Sequence, residues 1–166
     1  GPGAFTGVRL AISVVQGLAL ALDIPVVPVS SLAALAQDAP GSDASILAVI
    51  DARMGEVYAG AFRRGADGLV EAIGEETVSK ADELILPQSI HWSVVGTGWD
   101  AYRDALAARL PAPPAFADGA RYPQARAVAA LAAPLFAAGR GVAPEQALPV
   151  YLRDKVALTL AEQRAR

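Results

Sequence analysis

Cysteine is missing from all 166 residues. That excludes disulfides, thiolate metal sites and cysteine nucleophiles together, and it fits a reducing compartment, so a cytoplasmic location is expected. Histidine occurs once, at His91. With no carboxylate or second imidazole close by in sequence, it is a weak metal ligand or general base, and an ordinary structural role is expected. No metal site and no Ser-His-Asp set in a recognisable context are present to support a hydrolase. Charge is also sparse. Charged residues make up 19%, the net charge is −3 and the pI is about 5.1. A stand-alone nucleic-acid binder normally carries a basic footprint. The one weak concentration of positive charge is Arg153, Lys155, Arg164 and Arg166, diluted by Asp154 and Glu162. Long apolar runs are few. The longest, residues 8–22, contains Arg9, Ser13 and Gln16, so it reads as too short and too polar for a membrane span. The opening Gly1-Pro2-Gly3 lacks the basic-then-apolar pattern of a signal peptide, and none is expected.

What the chain does have is apolar mass, 54% of its residues, enough for a sizeable core. A turn-rich opening, residues 1–7, leads to a helix expected over residues 8–22 with Thr6 as its N-cap. Arg9, Ser13 and Gln16 share one narrow stripe of that helix, and every other face is apolar. A helix apolar nearly all round has to be covered nearly all round. A short strand over 26–29 follows, with Pro28 a mark against a central position. Ser30 and Ser31 can cap a helix ending at residues 35–37. The polar stretch 38–45 is the best boundary between lobes, with domains expected at 1–40 and 41–166.

Beyond it, strands are expected at 46–50, 56–63 and 69–78, with a hairpin signal at Asp67-Gly68. Ser79 and Asp82 look like a capping start for a helix ending at Leu86 before Pro87. A strand at 91–95 turns through Gly96-Thr97-Gly98 into a helix capped by Asp100 and running to Leu110. After a proline linker at 111–114, Pro123 suits the first turn of a last long helix, which Pro134 should kink or split. The tail after Pro149 is expected to be extended, then helical. The second lobe thus reads β-β-β-α-β-α, while the first has one short strand between two helices. One strand cannot make a sheet. The first lobe is therefore expected to be incomplete: truncated, cleaved, or completed by another chain.

Three stretches carry candidate chemistry, and each has two readings. Gly1-Pro2-Gly3-Ala4-Phe5-Thr6-Gly7 ahead of a helix is either an anion cradle or a tight helix-entry turn. No lysine follows the glycines and Walker spacing is absent, which favours the turn. Asp51 and Arg53, ahead of Gly55 in a turn between strands, resemble the place where actin-like ATPases hold phosphate and metal, or are a surface turn closed by their own contact. Gly96-Thr97-Gly98 similarly resembles the adenosine-contacting turn of that fold, or is a plain strand-to-helix loop. Trp92 and Trp99 bracket it as packing residues, or as a platform for a base.

Five ordered blocks resemble a known family. They are Gly1-Pro2-Gly3-Ala4-Phe5-Thr6-Gly7-Val8-Arg9, Gly17-Leu18-Ala19, Ile24-Pro25-Val26 with Val29-Ser30-Ser31-Leu32, Asp51-Ala52-Arg53-Met54-Gly55-Glu56-Val57-Tyr58, and Tyr151-Leu152-Arg153-Asp154-Lys155-Val156. Together they are similar to the bacterial TsaB (YeaZ) family of tRNA threonylcarbamoyladenosine biosynthesis proteins, and they span almost the whole chain. The resemblance implies an α/β, actin-like or Hsp70-like ATPase (ribonuclease H-like) fold of two lobes, here with the first incomplete. Strands and a helix ahead of the Gly-Pro-Gly stretch are usual in the family.

It also implies a non-catalytic subunit that pairs with the catalytic subunit TsaD, joined by the ATPase TsaE, in making N6-threonylcarbamoyladenosine at position 37 of tRNAs reading ANN codons. tRNA would be met only through that complex, and no membrane is involved. Thr6, Arg9, Ile12, Gln16 and Leu20 are the expected partner interface, and charging Ile12 is expected to abolish pairing. Gly3, Thr6, Gly7, Asp51, Arg53, Gly96 and Gly98 are the candidate vestigial nucleotide loops. No cofactor is expected, ATP or ADP at the complex interface being the one candidate. Alone, the chain is expected to form a homodimer through its apolar helix, or to be disordered around it, since such surfaces seldom stay exposed. The alternative is an ATP-dependent, kinase-like enzyme of the same fold. The older glycoprotease label of this superfamily finds no residues to support it.

Overall fold

Residues 46–49, Ile-Leu-Ala-Val, are apolar without alternation, and the reason is that both of their faces are covered. They form the middle of β1 (Ser45–Arg53), the central strand of the sheet. The computed structural model describes residues 1–41 and 45–153 of the chain. On one side β1 pairs antiparallel with β2 (Glu56–Arg64), in the register Leu47↔Ala61 and Val49↔Ala59. The outer edge of β2 pairs antiparallel with two short strands, β3 (Val70–Ala72) and β4 (Thr77–Lys80). On its other side β1 pairs parallel with β5 (Trp92–Val95), which pairs parallel with β6 (Phe116–Asp118). The strand order is β3-β2-β1-β5-β6, with β4 also on β2.

Leu47, Val49, Val57, Ala59, Trp92 and Val94 point to one face. There they pack with Trp99 of α3 (Thr97–Ala101), Leu106 of α4 (Arg103–Ala107), and Leu110. Ile46, Ala48, Phe62 and Val95 point to the other face. They meet Leu32, Leu35 and Ala36 of α2 (Ser31–Gln37), with Leu131 of α5 (Ala125–Ala137) packed alongside. Each such buried Leu, Val or Trp contributes roughly 1.5–3 kcal/mol of apolar transfer.

Helix α2 has only seven residues, so its ends matter. Ser30 Oγ accepts from the N–H groups of Leu32 and Ala33 at 3.1 and 3.3 Å. At the other end Arg64 Nη2 donates to the carbonyls of Gln37 and Ala39. The Gln37 side chain also bonds both Gly68 O and Val70 N, at 2.9 Å each. Helix α2 thus belongs to the sheet's core, although it precedes the polar stretch expected to separate the lobes.

Several expected elements differ. The helix α1 (Phe5–Leu22) starts earlier than expected, with Ala4 at the cap, and Thr6 lies inside its first turn. Residues 26–29 form no strand; Val26 makes a single antiparallel bridge with Val142. The expected third strand is two, β3 and β4, because the chain leaves β2 opposite Gly60 and rejoins it at Ala59. No helix forms after Ser79. Residues 79 and 80 stay in register with Val57 and Glu56, and Ala81 and Leu84 turn into the core. Burial of those two outweighs local helix preference. The helix expected to reach Leu110 breaks at Tyr102, whose backbone is non-helical (φ −138°). Strand β6 was not expected: three residues give too short a pattern to read. Helix α5 contains Pro134 unsplit, three residues from its end, and Pro123 lies just ahead of the helix. The expected helical tail, and Asp154, Lys155, Val156, Glu162, Arg164 and Arg166, lie outside the described residues.

Candidate partner surface and polar cluster

The sheet delivers Asp51 to the C-terminal end of β1, where the strand enters a two-residue loop, Met54-Gly55, with φ of 58° and 80°. Positive φ at both loop positions matches the twist of the paired strands, the usual solution for a two-residue hairpin. Arg53 is left-handed as well (φ 65°), and its backbone N–H donates to Asp51 Oδ1 at 2.8 Å. Arg53 Nη1 donates to Asp51 Oδ2 at 2.8 Å, and Tyr102 Oη donates to Oδ1 at 3.1 Å. The Asp51 N–H itself donates to Thr97 Oγ1 at 3.1 Å. Both carboxylate oxygens are therefore engaged from within the chain. Partial burial, and after it the Asp51 bond and charge, push the Tyr102 phenol up from its ordinary pKa.

The two glycines of the neighbouring turn have packing reasons. Gly96 has φ 108°, and a Cβ there would sit 2.2 Å from Val49 O and 2.5 Å from Leu35 Cδ2. A Cβ on Gly98 would sit 3.0 Å from the Cβ of Val49. The start of α3 is thereby drawn against β1. Trp92 and Trp99, 1% and 6% exposed, belong to the core beneath it. So Asp51, Arg53, Gly96 and Gly98 come together, with Thr97 and Tyr102 as members the sequence did not single out. Gly3, Thr6 and Gly7 lie at the entry to α1, and no hydrogen bond among the described residues joins them to the Asp51 group. His91 is exposed just ahead of β5. Among the described residues no three His, Cys, Asp or Glu side chains converge as a metal site would require.

Helix α1 is the other candidate surface. Of its 18 residues only Ala19 is buried. Phe5, Leu10, Val14, Val15, Leu18, Leu20 and Leu22 are between 44% and 65% exposed. By length and composition alone it could cross a membrane, at mean hydropathy 1.7, although its sequence read as too short and too polar. Two of its polar residues, Gln16 and Arg9, bond to its own chain. Gln16 Nε2 donates to the carbonyls of Pro144 and Ala147 at 3.0 and 3.3 Å. Arg9 Nε donates to Tyr151 Oη at 2.6 Å, and its guanidinium lies 3.9 Å from the Phe5 ring centroid.

Of the five expected interface residues, then, Thr6 and Leu20 are exposed, while Gln16 and Arg9 make internal bonds and Ile12 is half-buried on the same side as Gln16. A charge at Ile12 would disturb the chain's own packing. Leu10, Val14 and Leu18, the other four-residue series of the same helix, are exposed along with Leu20. Sequence periodicity held both series and could not rank them.

A mixed sheet in this order, β2 antiparallel and β5 and β6 parallel to β1, with helices on both faces, a carboxylate ending β1 and a glycine turn after β5, defines a ribonuclease H-like domain of the actin-like ATPase class. The family model described as TsaD, tRNA N6-adenosine threonylcarbamoyltransferase, matches residues 1–160. The chain is 40% identical to the tRNA threonylcarbamoyladenosine biosynthesis protein TsaB of Escherichia coli K12, over 95% of this chain and 69% of that protein. The Bacillus subtilis protein of the same name is 39% identical over 51% of this chain and 37% of its own length. YeaZ from Pseudomonas aeruginosa superposes with a TM-score of 0.82 at 45% identity, covering 92% of this chain and 71% of that one. A second P. aeruginosa structure, described as an uncharacterised protein with similarity to peptidase YeaZ, gives a TM-score of 0.83 at 45% identity, covering 92% and 70%. The chain belongs to the TsaB (YeaZ) family.

Proposed function

We propose that this protein is a non-catalytic subunit in the synthesis of N6-threonylcarbamoyladenosine at position 37 of tRNAs reading ANN codons, and that it works by binding and supporting a TsaD-like catalytic subunit. The observation carrying this reading is α1, a helix with a continuous apolar exterior and one buried residue. Apolar patches of that extent mark interaction sites. A TsaE-like ATPase would join the pair, tRNA would be contacted through the assembly, and the setting would be the cytoplasm. Without its partner the chain would form a homodimer through the same helix. Support for a non-catalytic role comes from the Asp51 group, whose carboxylate is engaged by Arg53 and Tyr102. The exposed, isolated His91 gives no support to peptidase chemistry.

Co-purification of a TsaD-like subunit with the full-length protein tests the reading. Capture is expected from the wild type and loss from Leu10→Glu, whose side chain is 64% exposed, with unchanged thermal stability. Equal capture by both would overturn the assignment of α1. The competing reading, an ATP-dependent enzyme, rests on the position of Asp51 beside the Gly96 turn. Calorimetry with ATP and Mg²⁺ separates the two, since tight binding to the isolated subunit would favour the enzyme. No cofactor is proposed for the subunit alone; ATP or ADP would be held, if anywhere, where the complex closes.

A further inference from the structure

Three of the sequence blocks, far apart in the chain, meet in one place. Tyr151 stacks on Phe5 with ring centroids 6.1 Å apart and takes the Arg9 bond. Two residues on, Arg153 Nη2 donates to Ala52 O at 2.9 Å and pairs with the Glu56 carboxylate, its guanidinium 6.0 Å from the Tyr58 ring centroid. Four residues before Tyr151, Ala147 O accepts from Gln16. The segment therefore runs antiparallel beside α1, from Gln16 back to Arg9. The lengths agree: seven helical residues rise about 10.5 Å, and four extended residues span about 13 Å. Arg153 then pins its end to the β1–β2 hairpin.

This strap also leaves apolar side chains outside. Leu148, Val150 and Tyr151 are 68%, 54% and 46% exposed. A single partner covers about half of a helix cylinder, roughly 450 Å² for one about 27 Å long and 11 Å across. A stable pair buries about 800 Å² on each side. Helix α1 alone falls short of that, and the adjoining apolar surface is the strap.

We infer that the partner-binding surface is composite, with strap residues Leu148, Val150 and Tyr151 docking the same apolar surface of the TsaD-like subunit as Leu10 and Leu20 of α1. Tyr151 and Arg153 position the strap, Tyr151 through Phe5 and Arg9, Arg153 through the sheet. This rests on the reading of α1 as the surface for a TsaD-like subunit. The test uses the full-length protein and that subunit. Val150→Glu and Leu148→Glu should each weaken capture at least tenfold without moving the thermal midpoint. In the wild type, amide exchange at Leu148, Val150 and Tyr151 should slow on complex formation. If both variants bind like wild type and those amides are unchanged while Leu10→Glu loses binding, the strap is overturned and α1 stands. If Leu10→Glu also binds normally, the α1 reading falls and the composite surface with it. If the strap variants alter only self-association, the occupant is a second copy and the proposal is wrong.

Discussion

The central strand and helix α1 are both apolar over most of their length, yet they end in opposite environments. In β1 Ile46, Leu47, Ala48 and Val49 are all 2% exposed or less; in α1 seven large apolar side chains are 44% exposed or more. A strand within a sheet has both faces covered by helices that the same chain supplies, and its backbone groups are paired on either side. A helix satisfies its own backbone, so it can form without a tertiary cover and keep its side chains available. Apolar content is therefore a poor guide to burial in this protein. The covering elements decide it: α2, α3 and α4 for the strand, and for α1, among the described residues, chiefly the strap and the turn at Pro144–Gln146.

That contrast can be broken first at Gly96. Gly96→Ala places a Cβ 2.2 Å from Val49 O at a positive φ, and a loss of at least ~2 kcal/mol is expected from strain plus overpacking, read as a drop in urea midpoint. Leu47→Ala, in the sheet, should cost about 2–5 kcal/mol. Leu10→Glu, in the helix, should leave the unfolding midpoint within error while abolishing partner capture. Equal destabilisation by the last two would mean that α1 is buried in solution. Arg153→Ala should cost about 1 kcal/mol, because Glu56 is partly exposed and its charge partly screened. It should also speed amide exchange at the hairpin carrying Ala52.

The smallest effect concerns Glu76, which bonds Ser30 at the cap of α2. Burial raises its pKa above 4.5, against the opposing pull of the Ser30 hydrogen bond. A carboxyl with a raised folded pKa binds its proton more tightly when folded. Stability therefore falls as pH rises from 4.5 through the raised value. Glu76→Gln should flatten that decline in a urea series across pH.

Much of the fold was legible in residues. A continuous apolar run marked β1, residues 91–95 read as the strand β5, Asp67-Gly68 marked a turn, and Ser30 marked the cap it makes. Asp51 and Arg53 were legible through a block shared with a family and Gly96 and Gly98 as a glycine turn between strand and helix, but their meeting was not. What failed shares one cause. Residues 79–86 carry a capping pattern, but Ala81 and Leu84 are needed in the core. Tyr102 interrupts a helical pattern where its hydroxyl reaches Asp51. Strand β6 exists because β5 offers an edge, and three residues carry no period of their own.

By itself, the sequence determined the α/β class, the family, the apolar helix and the loops that gather at Asp51, since these rest on local patterns and on ordered motifs. Only the tertiary structure decided which side of α1 faces outward, that Asp51 is engaged by Arg53 and Tyr102, and that Tyr151 and Arg153 bind α1 to the sheet. Those outcomes depend on contacts between residues 51 to 142 positions apart. No period within a short window encodes such contacts; they exist once the sheet has brought its edges and loops together.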